Sequence, residues 1–206
     1  MKQKKLWTAL ALLAAFALWT LAVKWVDVHP IGPLGSSVGF AALNGAFHRM
    51  TGVHWSLYTL TDLLSLIPLG FVAGFGVLGL VQWIRRKKLL RVDRSILVLG
   101  GFYLAVLAAF VLFEVFPVNF RPVLIEGVLE ASYPSSTTML VMCVMPTAAM
   151  ELRSRIRNRA VTWMIAAFTV FMVAGRLLSG VHWLTDIIGG GLLSAGLVMM
   201  YDSLNN

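Results

Sequence analysis

Six apolar runs separated by short clusters of lysine and arginine constrain this chain more than any other feature. Leu6–Val23, Leu60–Ile84, Ile96–Phe116, Thr138–Met150, Val161–Ala174 and Leu184–Tyr201 each read as a membrane-crossing helix, the fourth being short and lengthened by the Ser135-Ser136 turn. In hydrocarbon only helices and closed barrels satisfy their own backbone, and about 20 apolar residues cross the core. With 59% of residues hydrophobic, 13% charged and a mean hydropathy of +0.83, a soluble enzyme with a large core is excluded. Ser36 to Tyr58 mixes Asn44, His48, Arg49 and His54 with Phe, Leu and Trp, too polar to span, which predicts an interfacial, lid-like helix. The expected fold is all-α: a polytopic six-span transmembrane helical bundle, with an extra interfacial helix between spans one and two. It forms a single domain over residues 1–206.

The net charge of +8 would suit a nucleic-acid binder, but the positions of the basic residues argue against one. Lys2, Lys4 and Lys5, then Arg85 to Arg94, then Arg153, Arg155, Arg157 and Arg159 fall on one side of six alternating spans. Of 17 lysines and arginines, only Lys24, Arg49, Arg121 and Arg176 remain, all at the opposite span ends. The positive-inside rule then places both termini in the cytoplasm. Lys24-Trp25-Val26-Asp27 follows the first run where a cleavage site would need small residues, so that run is expected to stay as a span. Cys143, the one cysteine, lies in an apolar run and excludes an internal disulfide framework. The expected location is a cell membrane, of bacterial type.

Arg121 and Arg176 sit at the outward ends, and around them the polar residues take on a pattern. His182 and Asp186 are four apart, so a helix from Trp183 onward lets the carboxylate orient the imidazole. Ser179-Gly180 permits a turn that brings Arg176 back over the ring. Pro134-Ser135-Ser136 opening a helix offers backbone N–H groups, hydroxyls and a helix dipole to an anion. Two arginines add bidentate contacts to phosphate oxygens. An Arg to hold an oxyanion, a His to attack and an Asp to position the His make a phosphoryl-transfer set.

Other readings of these residues are weaker. His182 and Asp186 as metal ligands lack an evident third partner. Ser135 or Ser136 with His182 suggests a serine hydrolase, but the double arginine argues for phosphate. A transporter would gather polar groups near the midplane, whereas these cluster at one face. His29, His48 and His54 read as interfacial or packed residues, and Glu114, Glu126 and Glu130 as solvated charges.

Arg121-Pro122, Pro134-Ser135-Ser136 and Arg176-x5-His182-x3-Asp186, in that order, resemble the type 2 phosphatidic acid phosphatase superfamily. Its motifs read Lys-x6-Arg-Pro, Pro-Ser-Gly-His and Ser-Arg-x5-His-x3-Asp. The resemblance implies that His182 is a nucleophile forming a phosphohistidine, that Asp186 orients it, and that Arg121, Arg176, Ser135 and Ser136 bind the phosphate. It implies no metal and no cofactor, with a lipid phosphate or diphosphate as substrate and membrane lipids as surroundings.

Three positions depart from that pattern: Glu114 replaces the lysine, Thr137 the second histidine and Gly175 the serine. At about 5 Å and an effective dielectric near 20, each unit of charge is worth roughly 3 kcal/mol against a phosphate. Glu114 must therefore point away, pair with Arg121 or weaken binding. Thr137 takes the catalytic position of the leaving-group acid, yet its hydroxyl cannot donate a proton at neutral pH. A lost general acid costs about 10²–10⁴-fold. These departures support a competing reading: an impaired, non-catalytic member that binds an anionic lipid headgroup or a partner protein.

Overall fold

The computed structural model describes residues 2–155 and 158–205; Arg157 of the third basic cluster lies outside them. Among these residues eight α-helices follow in order: α1 Lys2–Trp25, α2 Ala41–Thr51, α3 Trp55–Leu64, α4 Leu66–Arg86, α5 Arg94–Val115, α6 Ser136–Arg155, α7 Arg159–Leu178 and α8 Leu184–Asn205. Among the described residues, five helical segments are long and apolar enough to cross a membrane: α1, the α3–α4 run, α5, α7 and α8. The protein is an integral membrane protein, and its outer helices present Leu18, Val77, Leu104 and Val170 outward, a surface suited to lipid.

Two expectations change. The fourth run, expected as a short apolar span from Thr138 to Met150, is the longer and more polar α6, which falls outside the five. It packs against α4, α5, α7 and α8, so its neighbours take the lipid contacts and its buried Thr137, Thr147 and Glu151 are tolerated. The single helix expected over Ser36 to Tyr58 is two helices, broken at Gly52, whose φ of +67° a side chain would strain. The second of them, α3, runs through Ser65 almost directly into α4, so the run expected from Leu60 begins inside α3.

Small residues let α8 sit at the centre against α1, α5 and α6. A Cβ on Gly196 would meet Leu13 of α1 at 2.8 Å, and one on Gly189 would meet the Tyr133 ring at 2.5 Å. Close backbone approach of this kind is what small residues provide where the hydrophobic effect gives no drive.

Polar contacts fix which helix ends lie together. Lys5 Nζ pairs with Asp202 Oδ2 at 2.6 Å, Arg94 Nη2 donates to the Leu204 carbonyl at 3.4 Å, and Tyr201 Oη donates to Glu151 Oε1 at 2.7 Å. The starts of α1 and α5 and the ends of α6 and α8 therefore share one end of the bundle. The basic clusters border that end, and Arg121, Arg176 and His182 occupy the other.

Candidate active site

Two connections and α2 build this end of the bundle. Residues 116–135, between α5 and α6, double back as a hairpin-like loop: Arg121 N donates to the Glu130 carbonyl and Ser132 N to the Asn119 carbonyl. Trp183 Nε1 donates to the Phe120 carbonyl at 2.7 Å and ties this loop to the α7–α8 turn. Ser135 N donates to the Asp186 carbonyl at 3.1 Å, seating the start of α6 on the start of α8. Asn44 of α2 adds a third fastening, donating to Thr185 Oγ1 and accepting from Thr185 N.

Within this frame His182 Nδ1 lies 3.6 Å from Asp186 Oδ2, and His182 Nε2 lies 3.3 Å from Arg121 Nη1. Asp186 also accepts at Oδ2 from the Trp183 backbone N–H, 2.9 Å away, and at Oδ1 from Asn119 Nδ2, 3.5 Å away. The carboxylate thus caps the start of its own helix and is held in place by it. With Asp186 beside Nδ1, the proton belongs on that nitrogen and the lone pair on Nε2. Burial, with the charges of Arg121 and Arg176 added, holds the imidazole well below its ordinary pKa of 6.5. The ring is neutral at physiological pH.

Both arginines already carry a carboxylate. Arg121 Nε pairs with Glu130 Oε2 at 2.9 Å. Arg176 is gripped by α3: Nη1 donates to Thr61 Oγ1 at 3.2 Å and to the Tyr58 carbonyl at 3.4 Å, and Nη2 pairs with Asp62 Oδ1 at 3.2 Å. The Tyr58 ring lies 4.6 Å from the guanidinium carbon. Gly175 makes this grip possible, since a Cβ there would meet Thr61 Cγ2 at 2.8 Å. The departure from serine at this position is thus explained by the approach of α3.

A cavity of about 980 Å³ opens from this cluster. Asp62, Arg121, Ser136, Thr137 and Arg176 line its polar end. It then follows α4 from Leu69 to Trp83 and α5 from Phe110 to Ile96, a length of roughly 20 Å at 1.5 Å per residue. His182 is 2% exposed and stands behind Arg121 instead of on the wall.

The structure therefore brings Arg121, His182 and Asp186 together and sets Arg176, Ser136 and Thr137 on one cavity. Ser135 is fully buried, and its Oγ accepts from Thr138 Oγ1 and Thr138 N at the head of α6, away from the cavity. Glu114 pairs with neither arginine in these contacts; it lines a separate small crevice beside Ser132 and Tyr133. Glu130, expected as a solvated charge, is instead the partner of Arg121. Asp62, Tyr58 and Thr61 carry no motif and escape the sequence reading. The available signal was Asp62 itself, an acidic residue at the edge of an apolar run. Among the described residues, no three His, Cys, Asp or Glu side chains gather as metal ligands.

The PAP2 superfamily pattern matches residues 116–204. The fold is similar to the crystal structure of a transmembrane PAP2 type phosphatidylglycerolphosphate phosphatase from Bacillus subtilis, with a TM-score of 0.62 and 19% sequence identity. That likeness covers 96% of this chain and 95% of the other. No curated protein sequence matches the chain. The resemblance read from the motifs holds, and the part of the chain that carries the pattern is the part that carries Arg121, Arg176, His182 and Asp186.

Proposed function

We propose that this chain, which carries the PAP2 superfamily pattern over residues 116–204, is a membrane phosphatase that removes phosphate from a lipid phosphate or diphosphate through a phosphohistidine. The observation that carries the reading is the contact of Arg121 Nη1 with His182 Nε2 at 3.3 Å, with Asp186 at the other ring nitrogen. A neutral imidazole whose free lone pair faces a guanidinium is ready for phosphorus as soon as a phosphate oxygen takes the guanidinium's place beside it.

Substrate phosphate is held between Arg121 and Arg176, with Ser136 and Thr137 alongside on the cavity wall. As Arg121 turns from Nε2 to a phosphate oxygen, the nucleophile is uncovered. Nε2 attacks phosphorus, the bond to the leaving oxygen breaks, and the positive charge on the ring is balanced by Asp186. Water then attacks the phosphohistidine and phosphate departs. The hydrocarbon of the substrate lies in the apolar length of the cavity between α4 and α5. Its roughly 20 Å exceeds one leaflet of about 15 Å, which suits a long chain.

The basic clusters at the opposite end of the bundle support a cytoplasmic location for both termini and an extracytoplasmic site. They also support six crossings, with α6 as the sixth, shielded by its neighbours, and α2 at the outer surface.

Phosphate release from lipid phosphates and diphosphates tests the function, with His182→Ala as control. The expected result is turnover by the native chain, a ³²P label trapped on His182 by rapid alkaline quench, and loss of both in the variant. Equal residual rates in the two proteins would leave a binder of anionic headgroups, a reading favoured by the burial of His182 behind Arg121.

A further inference from the structure

We infer that Asp62 is the general acid and base of this site, giving a proton to the departing oxygen and later taking one from the attacking water. The inference rests on the phosphatase reading and answers what supplies the proton that Thr137 cannot. Among the described residues that line the cavity, Asp62 is the one carboxylate. Glu130 pairs with Arg121 but is off the wall, Glu114 faces the separate crevice, and Asp186 is fully buried beside His182. His54 is also off the wall, its Nε2 engaged with the Thr51 carbonyl.

Geometry suits Asp62 to the task. Its side chain is 58% exposed, and Oδ1 lies 3.2 Å from Arg176 Nη2, a nitrogen that a bound phosphate would claim. Arg176 keeps its contacts with Thr61 Oγ1, the Tyr58 carbonyl and the Tyr58 ring when it releases Asp62, so the guanidinium stays in place. Binding thus takes the cation from the carboxylate and sets the carboxylate beside the phosphate oxygens, from which it collects the proton it later gives. In the first step Nε2 of His182 bonds to phosphorus, the P–O bond breaks with its electron pair on the leaving oxygen, and that oxygen takes the proton from Asp62. In the second, water bonds to phosphorus and gives a proton to the Asp62 carboxylate, and the P–N pair returns to His182.

The test uses the full chain on three substrates: phosphatidic acid, a lipid diphosphate and 4-nitrophenyl phosphate, whose leaving group needs no proton. Asp62→Asn keeps an oxygen acceptor for Arg176 and removes the acid. Its expected effect is a loss of about 10²–10⁴-fold in kcat/KM for phosphatidic acid relative to that for 4-nitrophenyl phosphate, a ratio that reads only the steps up to leaving-group departure. Thr137→His on the Asp62→Asn background should recover phosphatidic acid turnover, and Asp62→Glu should keep the native ratio between the substrates. An unchanged kcat/KM for phosphatidic acid, or an equal loss of kcat/KM on all three substrates, overturns the assignment while the phosphatase reading stands. No turnover of any substrate by the native chain overturns both.

Discussion

At the residue scale, the site is two cations already answered by two anions. Arg121 bridges Glu130 and His182, and Arg176 bridges α3 and the cavity, so each guanidinium is oriented before any substrate arrives. A lysine cannot hold two partners in one planar fork. Arg121→Lys is therefore expected to lower kcat/KM by roughly 10- to 100-fold, the equivalent of losing a charged hydrogen bond of about 1.5–3 kcal/mol. Steady-state kinetics of lipid phosphate hydrolysis checks it. The lowered pKa of His182 gives a pH prediction with a definite sign. The imidazole takes up its proton only well below 6.5, so on the phosphohistidine reading the nucleophile is kept throughout the neutral range. The acid limb of kcat/KM that belongs to this residue should lie below 6.5, and a limb centred above that value would contradict the burial of the ring.

At the element scale, α3 decides whether the two arginines serve one cavity. It reaches α7 through Gly175, and the α7–α8 turn reaches the α2–α3 connection through Gly180, where a Cβ would lie 1.9 Å from the Gly52 carbonyl oxygen. His54 N donates to the Ser179 carbonyl at 2.9 Å across the same seam. Gly180 has a φ of +70°, so Gly180→Ala adds backbone strain of about 1–3 kcal/mol to a clash with backbone that cannot give way. A clear drop in melting temperature in detergent is expected. Gly175→Ala presses on Thr61, a side chain, and overpacking of that kind costs about 1–3 kcal/mol. Its distinguishing effect should be a raised KM, since Thr61 and Asp62 are displaced from Arg176 while His182 and Asp186 are untouched.

At the scale of the whole molecule, the proposed function divides one cavity between a polar end that recognises phosphate and an apolar length that takes hydrocarbon. Gly100 lines the apolar length, and a Cβ there meets nothing within 4 Å. Gly100→Trp should therefore fold normally and fill the groove, raising KM for long-chain lipid phosphates while leaving short-chain, water-soluble phosphates unaffected. Equal effects on both would place the hydrocarbon elsewhere. Orientation in the membrane has its own assay. Cys143 is the sole cysteine and is fully buried, so a new cysteine is the one accessible thiol. Leu34→Cys, at an 81% exposed position in the connection between α1 and α2, should react with an impermeant maleimide in intact cells, and Lys88→Cys should not.

The apolar runs determined by themselves that this is a helical membrane protein, because hydrocarbon leaves the backbone so few choices. The four-residue spacing of His182 and Asp186 likewise made their contact legible, since it forms at one helix start. Arg176, expected over the ring, turns instead to α3 and leaves that place to Arg121. Less local features were not legible. The two-helix form of residues 41–64 hinges on the conformation of Gly52, and the polar ends by which α6 exceeds the run from Thr138 to Met150 are tolerated only because its neighbours shield them. Partnerships of Arg121 with Glu130 and of Arg176 with Asp62 were decided only by the tertiary structure. A charge at a span end looks the same in sequence whether it meets solvent or a guanidinium, and only the packing of α3 on α7 and the doubling back of residues 116–135 choose between them.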